Sequence, residues 1–188
     1  MPISLDDIER QFTLDGARQY SGEPVTQLEH ALQTAWLAEQ AGSGDELVTA
    51  CLLHDLGHML NDKGETPSLR GVDDVHQYFA LPFLRGLFPE RVLNPIKLHV
   101  DAKRYLCQVR PDYWAALSDD SKRSLQLQGG IYTPDACATF IALAGAADAV
   151  QLRQWDDQAK QASLLTPPLA HFLLRAERCS IPSAAAAP

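Results

Sequence analysis

The most constraining feature of the sequence is a histidine–aspartate pair inside an apolar helical run. Residues 50–60 read ACLLHDLGHML, so His54 and Asp55 interrupt a stretch that would otherwise be core. Burying an imidazole and a carboxylate is unfavourable unless partners or a metal ion satisfy them. His58 follows His54 by four positions and would share its face of a helix. The run therefore predicts a buried polar centre built on a helix.

The spacing of apolar residues is helical along almost the whole chain. Leu28, Leu32 and Trp36 follow the 3.6-residue repeat, and no run of alternating β-branched residues predicts a central strand. The 188 residues therefore predict an all-α fold, a helical bundle with one domain over residues 1–179. The tail, residues 180–188, has little to bury and is expected to be disordered.

Turn residues and caps set the expected helix boundaries. Asp45 is the predicted N-cap of the helix that carries the His-Asp pair. Residues 61–73 are polar and turn-rich, which predicts a loop. Pro95 is expected to kink its helix or to mark a restart after Asn94. The other long helices are expected over residues 74–87, 89–106 and 135–155.

Composition excludes several classes of function. Sixteen basic residues against 24 acidic ones give a net charge of −8, which argues against nucleic acid binding. No stretch of 18 uncharged apolar residues indicates a membrane span, and the acidic first ten residues lack the apolar core of a signal peptide. The four cysteines form no CxxC motif, a pattern typical of reduced thiols and therefore of a cytoplasmic protein.

The histidines and two aspartates form a spaced set. Five of the six histidines fall between positions 30 and 99. Each alone would be a surface residue or a satisfied core donor, and that remains the interpretation of His171. Helical bundles build dinuclear metal sites from inward imidazoles and carboxylates on separate helices, and such a set suits Fe, Zn, Mn or Cu. The spaced set comprises His30, His54, Asp55, His58, His76, His99 and Asp156.

These residues resemble the HD-domain superfamily, whose name comes from the His-Asp pair. The runs YSGE from Tyr20, LHDLGH from Leu53, HVDAK from His99 and RQWD from Arg153 narrow the resemblance to the phosphonate-degrading HD oxygenases. It covers roughly residues 18–165 in the same order and at similar spacings.

The resemblance implies a mixed-valent Fe(II)/Fe(III) pair with O2 as co-substrate. Asp55 would bridge the two irons. The activity implied is oxidative cleavage of the C–P bond of a short 1-hydroxyphosphonate, either 2-amino-1-hydroxyethylphosphonate or its N-trimethyl analogue, to phosphate and glycine or glycine betaine. Such enzymes usually act after a hydroxylase that installs the 1-hydroxyl group. One iron would take His30, His54, Asp55 and Asp156, and the other Asp55, His76 and His99.

Several polar residues are candidates for binding the phosphonate dianion. Lys103 lies one helical turn after His99, and Arg153 lies three residues before Asp156, so each would share a face with a predicted ligand. A solvated surface lysine is the alternative for Lys103. Ser121 and Ser124 are equally well explained as helix-capping residues.

Three further residues take their roles from the resemblance. It places Tyr20 on an iron site before substrate arrives, Glu23 against the substrate amine and His58 against the substrate. Read from the sequence alone, Tyr20 and Glu23 would belong to an ordinary loop, and His58 would bond a backbone carbonyl. The choice between the amino and trimethylammonio substrates stays open.

Two other functions compete with the oxygenase. A metal-dependent HD phosphohydrolase would cleave a nucleotide or a small phosphomonoester with metal-activated water. A non-catalytic HD module would serve as an interaction protein, but every predicted ligand position is filled. Tyr20, Glu23 and the Lys103–Arg153 pair favour the oxygenase, because a hydrolase has no evident need for a phenol near the metal.

Overall fold

A computed structural model describes residues 3–20, 22–61 and 67–182 and confirms the all-α prediction. Within those ranges the β-structure consists of two isolated bridges, Gln19–Thr26 and Arg85–Phe88. A 3-10 helix spans Pro67–Arg70. The α-helices are α1 Leu5–Asp15, α2 Gln27–Gln40, α3 Asp45–Leu53, α4 Leu56–Leu60, α5 His76–Phe79, α6 Leu81–Leu84, α7 Glu90–Val109, α8 Tyr113–Ala116, α9 Asp119–Leu127, α10 Pro134–Ile141, α11 Ala146–Gln158 and α12 Leu169–Cys179.

The core is formed where α2, α3, α7 and α11 pack together, with α12 covering α3. Leu52 and Leu53 of α3, Ile96 of α7 and Leu152 of α11 are fully buried there. Burial of this apolar surface drives the assembly of the helices. Every predicted metal ligand lies on these elements, in the turn that follows α3 or on the short α5 beside them, so the packing that forms the core also gathers the site.

The helix predicted around the His-Asp pair is interrupted at the pair itself. Helix α3 ends at Leu53, α4 begins at Leu56, and Asp55 has φ −103° and ψ 10°, outside the helical region. His54 and His58 therefore do not share one continuous helix. The predicted N-cap was also one residue too late, because Gly44 caps α3.

Two other helix boundaries differ from the predictions. The helix expected over 135–155 is two helices, α10 and α11, bent by 108°. Gly145 joins them with φ 85°, and a Cβ there would lie 2.7 Å from the Cβ of Asn94. No restart occurs at Pro95, because α7 runs through it. The segment expected as one helix over 74–87 forms the short α5 and α6.

Parts of two other predictions lie outside the described residues. These are residues 62–66 of the loop and 183–188 of the tail. Within the described part of the tail, the N–H of Ile181 donates to the carbonyl of Leu87 (2.8 Å). Among the described helices, none alone has the length and apolar character needed to cross a membrane; α10 and α11 would meet those criteria only as a bent pair.

Candidate dimetal centre

The structure brings all six predicted metal ligands together at the centre of the bundle. They come from five places: α2, the α3–α4 turn, the start of α5, the middle of α7 and the end of α11. All six are buried. Their ligand atoms form two groups, each with all atoms within 4.8 Å of one another. The groups are His30, His54 and Asp156, and Asp55, His76 and His99.

Asp55 lies between the two groups and presents one carboxylate oxygen to each. Its Oδ2 lies 3.3 Å from His54 Nε2 and 3.6 Å from His30 Nε2. Its Oδ1 lies 3.2 Å from His76 Nε2 and 3.5 Å from His99 Nε2. A carboxylate in this position can bind one cation through each oxygen.

The hydrogen bonds of the four imidazoles leave their Nε2 atoms facing inward as acceptors. His76 holds Nδ1 against Asp74 Oδ1 (2.9 Å). The other three rings hold Nδ1 against a backbone carbonyl at 2.7–2.9 Å: His30 on Ala159, His54 on Cys51 and His99 on Ile96. Because these oxygens only accept, Nδ1 carries the proton and Nε2 of the neutral ring is a lone pair.

The inward nitrogens form two pairs. The two atoms of each pair lie too close together to be stable without a positive charge between them. His30 Nε2 lies 3.2 Å from His54 Nε2, and His76 Nε2 lies 3.0 Å from His99 Nε2. A proton or a metal ion has to separate the two lone pairs of each pair. Asp156 Oδ1 is buried and, among the described residues, has no hydrogen-bond partner. The donor set therefore fits two divalent or trivalent ions that accept imidazole and carboxylate.

The charges around the site keep its carboxylates ionised. Burial acts to raise the pKa of Asp55, but the imidazoles of His54 and His58 outweigh it and hold that pKa well below its usual range. Burial is likewise outweighed for Asp156, whose pKa is lowered mainly by Arg153. Burial lowers the pKa of His99 to about 4. Negative carboxylates and a neutral His99 are the states that bind metal ions.

Asp74 is a site residue that the sequence analysis missed. Its Oδ2 lies 2.5 Å from His58 Nδ1, and its Oδ1 lies 2.9 Å from His76 Nδ1. One carboxylate therefore orients a predicted ligand and the histidine beside it. Val75, between Asp74 and His76, has φ 47°, a strained value for a β-branched residue. The signal was the run Asp73-Asp74-Val75-His76, which looks like any polar loop in the sequence.

A cavity of about 60 Å³ opens beside the second group of ligands. At about 15 Å³ for one water, this volume holds about four waters, which is comparable to the volume of a small substrate. Besides metal ligands, its wall includes six of the seven other candidate site residues predicted from the sequence. They are Tyr20, His58, Lys103, Ser121, Ser124 and Arg153.

Lys103 is a buried cation of the cavity wall. It is 2% exposed and donates a hydrogen bond to Ser124 Oγ (2.8 Å). Burial, reinforced by the nearby Arg153, lowers its pKa to about 7. The alternative of a solvated surface lysine is therefore wrong. Ser121 follows the N-cap Ser118 of α9, whose Oγ accepts from the Ser121 N–H.

Several known proteins are similar in sequence to this chain over most of its length. A family model described as HD domain matches residues 28–136. Hydroxymethylphosphonate dioxygenase of Gimesia maris is 43% identical over 88% of this chain and 83% of the relative. A 1-hydroxy-2-(trimethylamino)ethylphosphonate dioxygenase (glycine-betaine-forming) of Leisingera caerulea is 36% identical over 89% of this chain and 85% of the relative. The chain belongs to the HD-domain phosphonate dioxygenases. Uncharacterized protein L432 of Acanthamoeba polyphaga mimivirus is 32% identical over 84% of this chain and 73% of the relative.

Within this HD-domain phosphonate dioxygenase, the side chain of Tyr20 contacts two of the predicted metal ligands. Its hydroxyl donates to Asp55 Oδ2 (2.8 Å), and its ring stacks on His30 with 3.9 Å between centroids. Burial and the carboxylates of Asp55 and Asp156 raise its pKa well above the usual range, so the phenol is a hydrogen-bond donor.

Arg153 is held mainly by acidic neighbours. Its Nη1 donates to Asp156 Oδ2 (2.7 Å), and its Nε donates to Tyr113 Oη (3.2 Å). Asp157 accepts further bonds from the same guanidinium. Arg153 therefore orients Asp156 and adds positive charge to the cavity wall, with much of its bidentate fork already engaged.

Glu23 is outside the cavity wall. Its Oε1 accepts from Lys160 Nζ (2.8 Å), and both side chains are largely buried. The sequence gives no sign of the role of Lys160, because the two residues are 137 positions apart and neither lies in a metal-ligand motif.

Proposed function

We propose that this chain is a di-iron oxygenase that cleaves the C–P bond of a short 1-hydroxyphosphonate with O2. The observation that carries the proposal is Asp55 with one histidine pair at each oxygen, next to a small cavity walled by the buried cation Lys103. Two relatives named as dioxygenases of hydroxyphosphonates support the reaction class.

Each iron has a set of protein ligands in this proposal. His30, His54, Asp55 and Asp156 hold one ion, and Asp55, His76 and His99 hold the other. The second set has fewer protein ligands and lies on the cavity wall, which leaves coordination positions for substrate. Bound iron supplies the activation of O2 and a Lewis acid for the substrate oxygens.

The cavity residues bind and orient the phosphonate. The Lys103 ammonium and the Ser124 hydroxyl, already hydrogen-bonded to each other, face the dianion together, with Ser121 beside them and the charge of Arg153 behind. His58, whose Nδ1 lies 2.5 Å from Asp74 Oδ2, supplies the imidazole that accepts the substrate hydroxyl proton. Tyr20 donates to Asp55 on the His30 side of the site and limits entry there.

The reaction balances without a further reductant. One hydroxyphosphonate and one O2 give one carboxylate, one phosphate and protons. The C–P bond breaks, the carbon is oxidised, and the electrons it loses reduce both oxygen atoms. The 1-hydroxyl has to be installed first, so we expect a phosphonate hydroxylase to supply the substrate.

The test is anaerobic purification with iron, metal analysis and parallel assays of O2 uptake and phosphate release. We expect two irons per chain and one phosphate released per O2 consumed, with none released under argon. Phosphate release from phosphomonoesters without O2, supported by a non-redox divalent ion, would instead establish the HD phosphohydrolase.

A further inference from the structure

We infer that Lys160 sets the charge preference of the substrate by placing its own ammonium group against Glu23, so that the preferred hydroxyphosphonate carries no ammonium group. The inference rests on the proposed function and names its substrate class. It makes Lys160 a specificity-determining residue outside the cavity wall.

The contacts of Lys160 are those expected of a bound ammonium ligand. Its Nζ lies 2.8 Å from Glu23 Oε1 and 3.4 Å from Ser118 Oγ. It also lies 6.0 Å from the centroid of the Tyr20 ring. A carboxylate and an aromatic face are the usual receptors for an ammonium group. The chain therefore fills from within the position where a cationic substituent would find Glu23.

A cationic substrate would have to displace this ion pair. The side chains of Lys160 and Glu23 are only 16% and 15% exposed, so releasing the lysine leaves a second cation in a poorly solvated place. The cavity wall carries the cations Lys103 and Arg153, and it also carries five carboxylates, each of which already accepts a hydrogen bond within the chain: Asp55, Asp73, Asp74, Asp120 and Asp156. Like charges in such surroundings repel strongly, because water screens them little. An uncharged substituent avoids this repulsion.

The size of the cavity limits the substrate to a short phosphonate. Its volume of about 60 Å³ holds about four waters. Tyr20, on its wall, is hydrogen-bonded to Asp55, and its ring centroid lies 6.0 Å from Lys160 Nζ. Hydroxymethylphosphonate and its short alkyl homologues fit this space without moving the pair.

The experiment compares two substrates that differ in charge and hardly in shape. They are 2-amino-1-hydroxyethylphosphonate and 1-hydroxypropylphosphonate, in which a methyl group replaces the ammonium; hydroxymethylphosphonate is the small reference. For the iron-loaded wild-type enzyme we expect kcat/KM to favour 1-hydroxypropylphosphonate by at least about tenfold. Thermal shifts measured anaerobically with the same compounds report binding without turnover.

Variants assign the preference to Lys160. Lys160→Met keeps the length of the side chain and frees Glu23, so the ratio of kcat/KM for the amino over the methyl compound should rise by about tenfold or more. Adding Glu23→Gln to that variant should remove the gain. Lys97→Met, at an exposed position of α7 off the cavity wall, is the matched control and should leave the ratio unchanged.

The outcomes separate the two proposals. Absence of O2-dependent phosphate release with all three compounds overturns the proposed function, and this inference with it. O2-dependent turnover with a wild-type preference for the amino compound overturns the inference alone. So does a Lys160→Met variant with the wild-type ratio, both in turnover and in thermal shift.

Discussion

At the scale of single residues, the site depends on the negative charge of Asp55. Its two oxygens lie 3.2–3.6 Å from the Nε2 atoms of four histidines, and the residue is only 6% exposed. Four inward lone pairs and a buried carboxylate form a stable arrangement only with cations among them. Asp55 thus couples two ligand groups that share no other residue.

Replacing Asp55 by asparagine should abolish binding of both metal ions. Asn keeps the shape but loses the charge and one of the two acceptor oxygens. Metal content per chain, measured by mass spectrometry after dialysis, should fall to near zero. Asp156→Asn is the comparison and should reduce mainly the ion held by His30 and His54. An Asp55→Asn protein that keeps two ions per chain would refute the shared position of this carboxylate.

Asp74→Asn should weaken binding of the metal ion proposed at His76 and His99. The amide loses the negative charge and one of the two oxygens that face His58 and His76, and losing such a partner costs about 10–100-fold in metal affinity. Titration with a competing chelator measures this affinity. In the control Asp73→Asn, the altered side chain accepts from the Val75 N–H rather than from a histidine. Equal affinities in the two variants would contradict the role of Asp74.

The metal-ligand types could be predicted from the sequence, but their supporting partners could not. A His-Asp pair in an apolar run is costly unless it is paired, so its type and position point to a buried site. Asp74 and Lys160 belong to polar segments, where a charged residue is usually solvated. Their importance arises only from partners brought near by folding, such as Glu23, 137 positions from Lys160.

At the scale of elements, the break between α3 and α4 positions the site. Gly57 in α4 lies against α5, and a Cβ at this position would be 2.1 Å from the carbonyl oxygen of His76. Helical periodicity predicted the segment but not this break. The break depends on a close contact with another element, which is α5. The bend between α10 and α11 has a similar cause, because Gly145 lies close to Asn94 of α7.

Gly57→Ala should displace His76 and destabilise the fold. The added methyl group overpacks a backbone contact, which typically costs about 1–3 kcal/mol. Urea unfolding should show this loss, and metal analysis should show less of the second ion. The control for metal occupancy is Gly44→Ala, whose Cβ would meet only the carboxylate of Glu46 at 3.4 Å; it should keep the second ion even if losing the N-cap of α3 lowers stability. Full occupancy and normal stability of Gly57→Ala would mean that α4 and α5 can separate freely.

Helix α7 presents His99 and Lys103 one turn apart. The titration of Lys103 should make kcat/KM depend on pH. The pKa of Lys103, lowered to about 7 from 10.5 by burial, means that the ammonium is charged only below about pH 7. We expect kcat/KM for a hydroxyphosphonate to fall as the pH rises through this value, because the dianion loses its partner. Lys103→Arg keeps its charge at all these pH values.

The comparison with Lys103→Arg removes the titration of the substrate from the result. Both enzymes meet the same phosphonate ionisation, so only the limb from Lys103 differs between their profiles. Parallel profiles from pH 6 to 9 would show that Lys103 does not bind the dianion. Stability has the opposite sign: burying the charged lysine costs most below pH 7, and this cost falls as the pH rises towards 10.5.

At the scale of the whole molecule, the centre joins elements distant in sequence. Its predicted ligands run from His30 to Asp156 and connect α2, the α3–α4 turn, α5, α7 and α11. The all-α class followed from periodicity, and the grouping of ligands followed from the resemblance, because spacing alone does not say which helices meet. Ions bound here would hold the whole bundle together.

Metal removal should therefore lower the melting temperature of the entire chain. Ligands that bind only the folded state stabilise it by RT ln(1 + [L]/Kd), about 2.7 kcal/mol at a hundredfold excess over Kd. For a chain of this size that corresponds to about 5–10 °C per site. Calorimetry before and after chelation measures the shift, which should return on adding iron anaerobically and grow with its concentration. The Asp55→Asn protein is the control and should melt at the same temperature with and without iron. A wild-type melting temperature that changes neither on chelation nor on addition of iron would mean that the lone pairs of the four histidines are satisfied by protons.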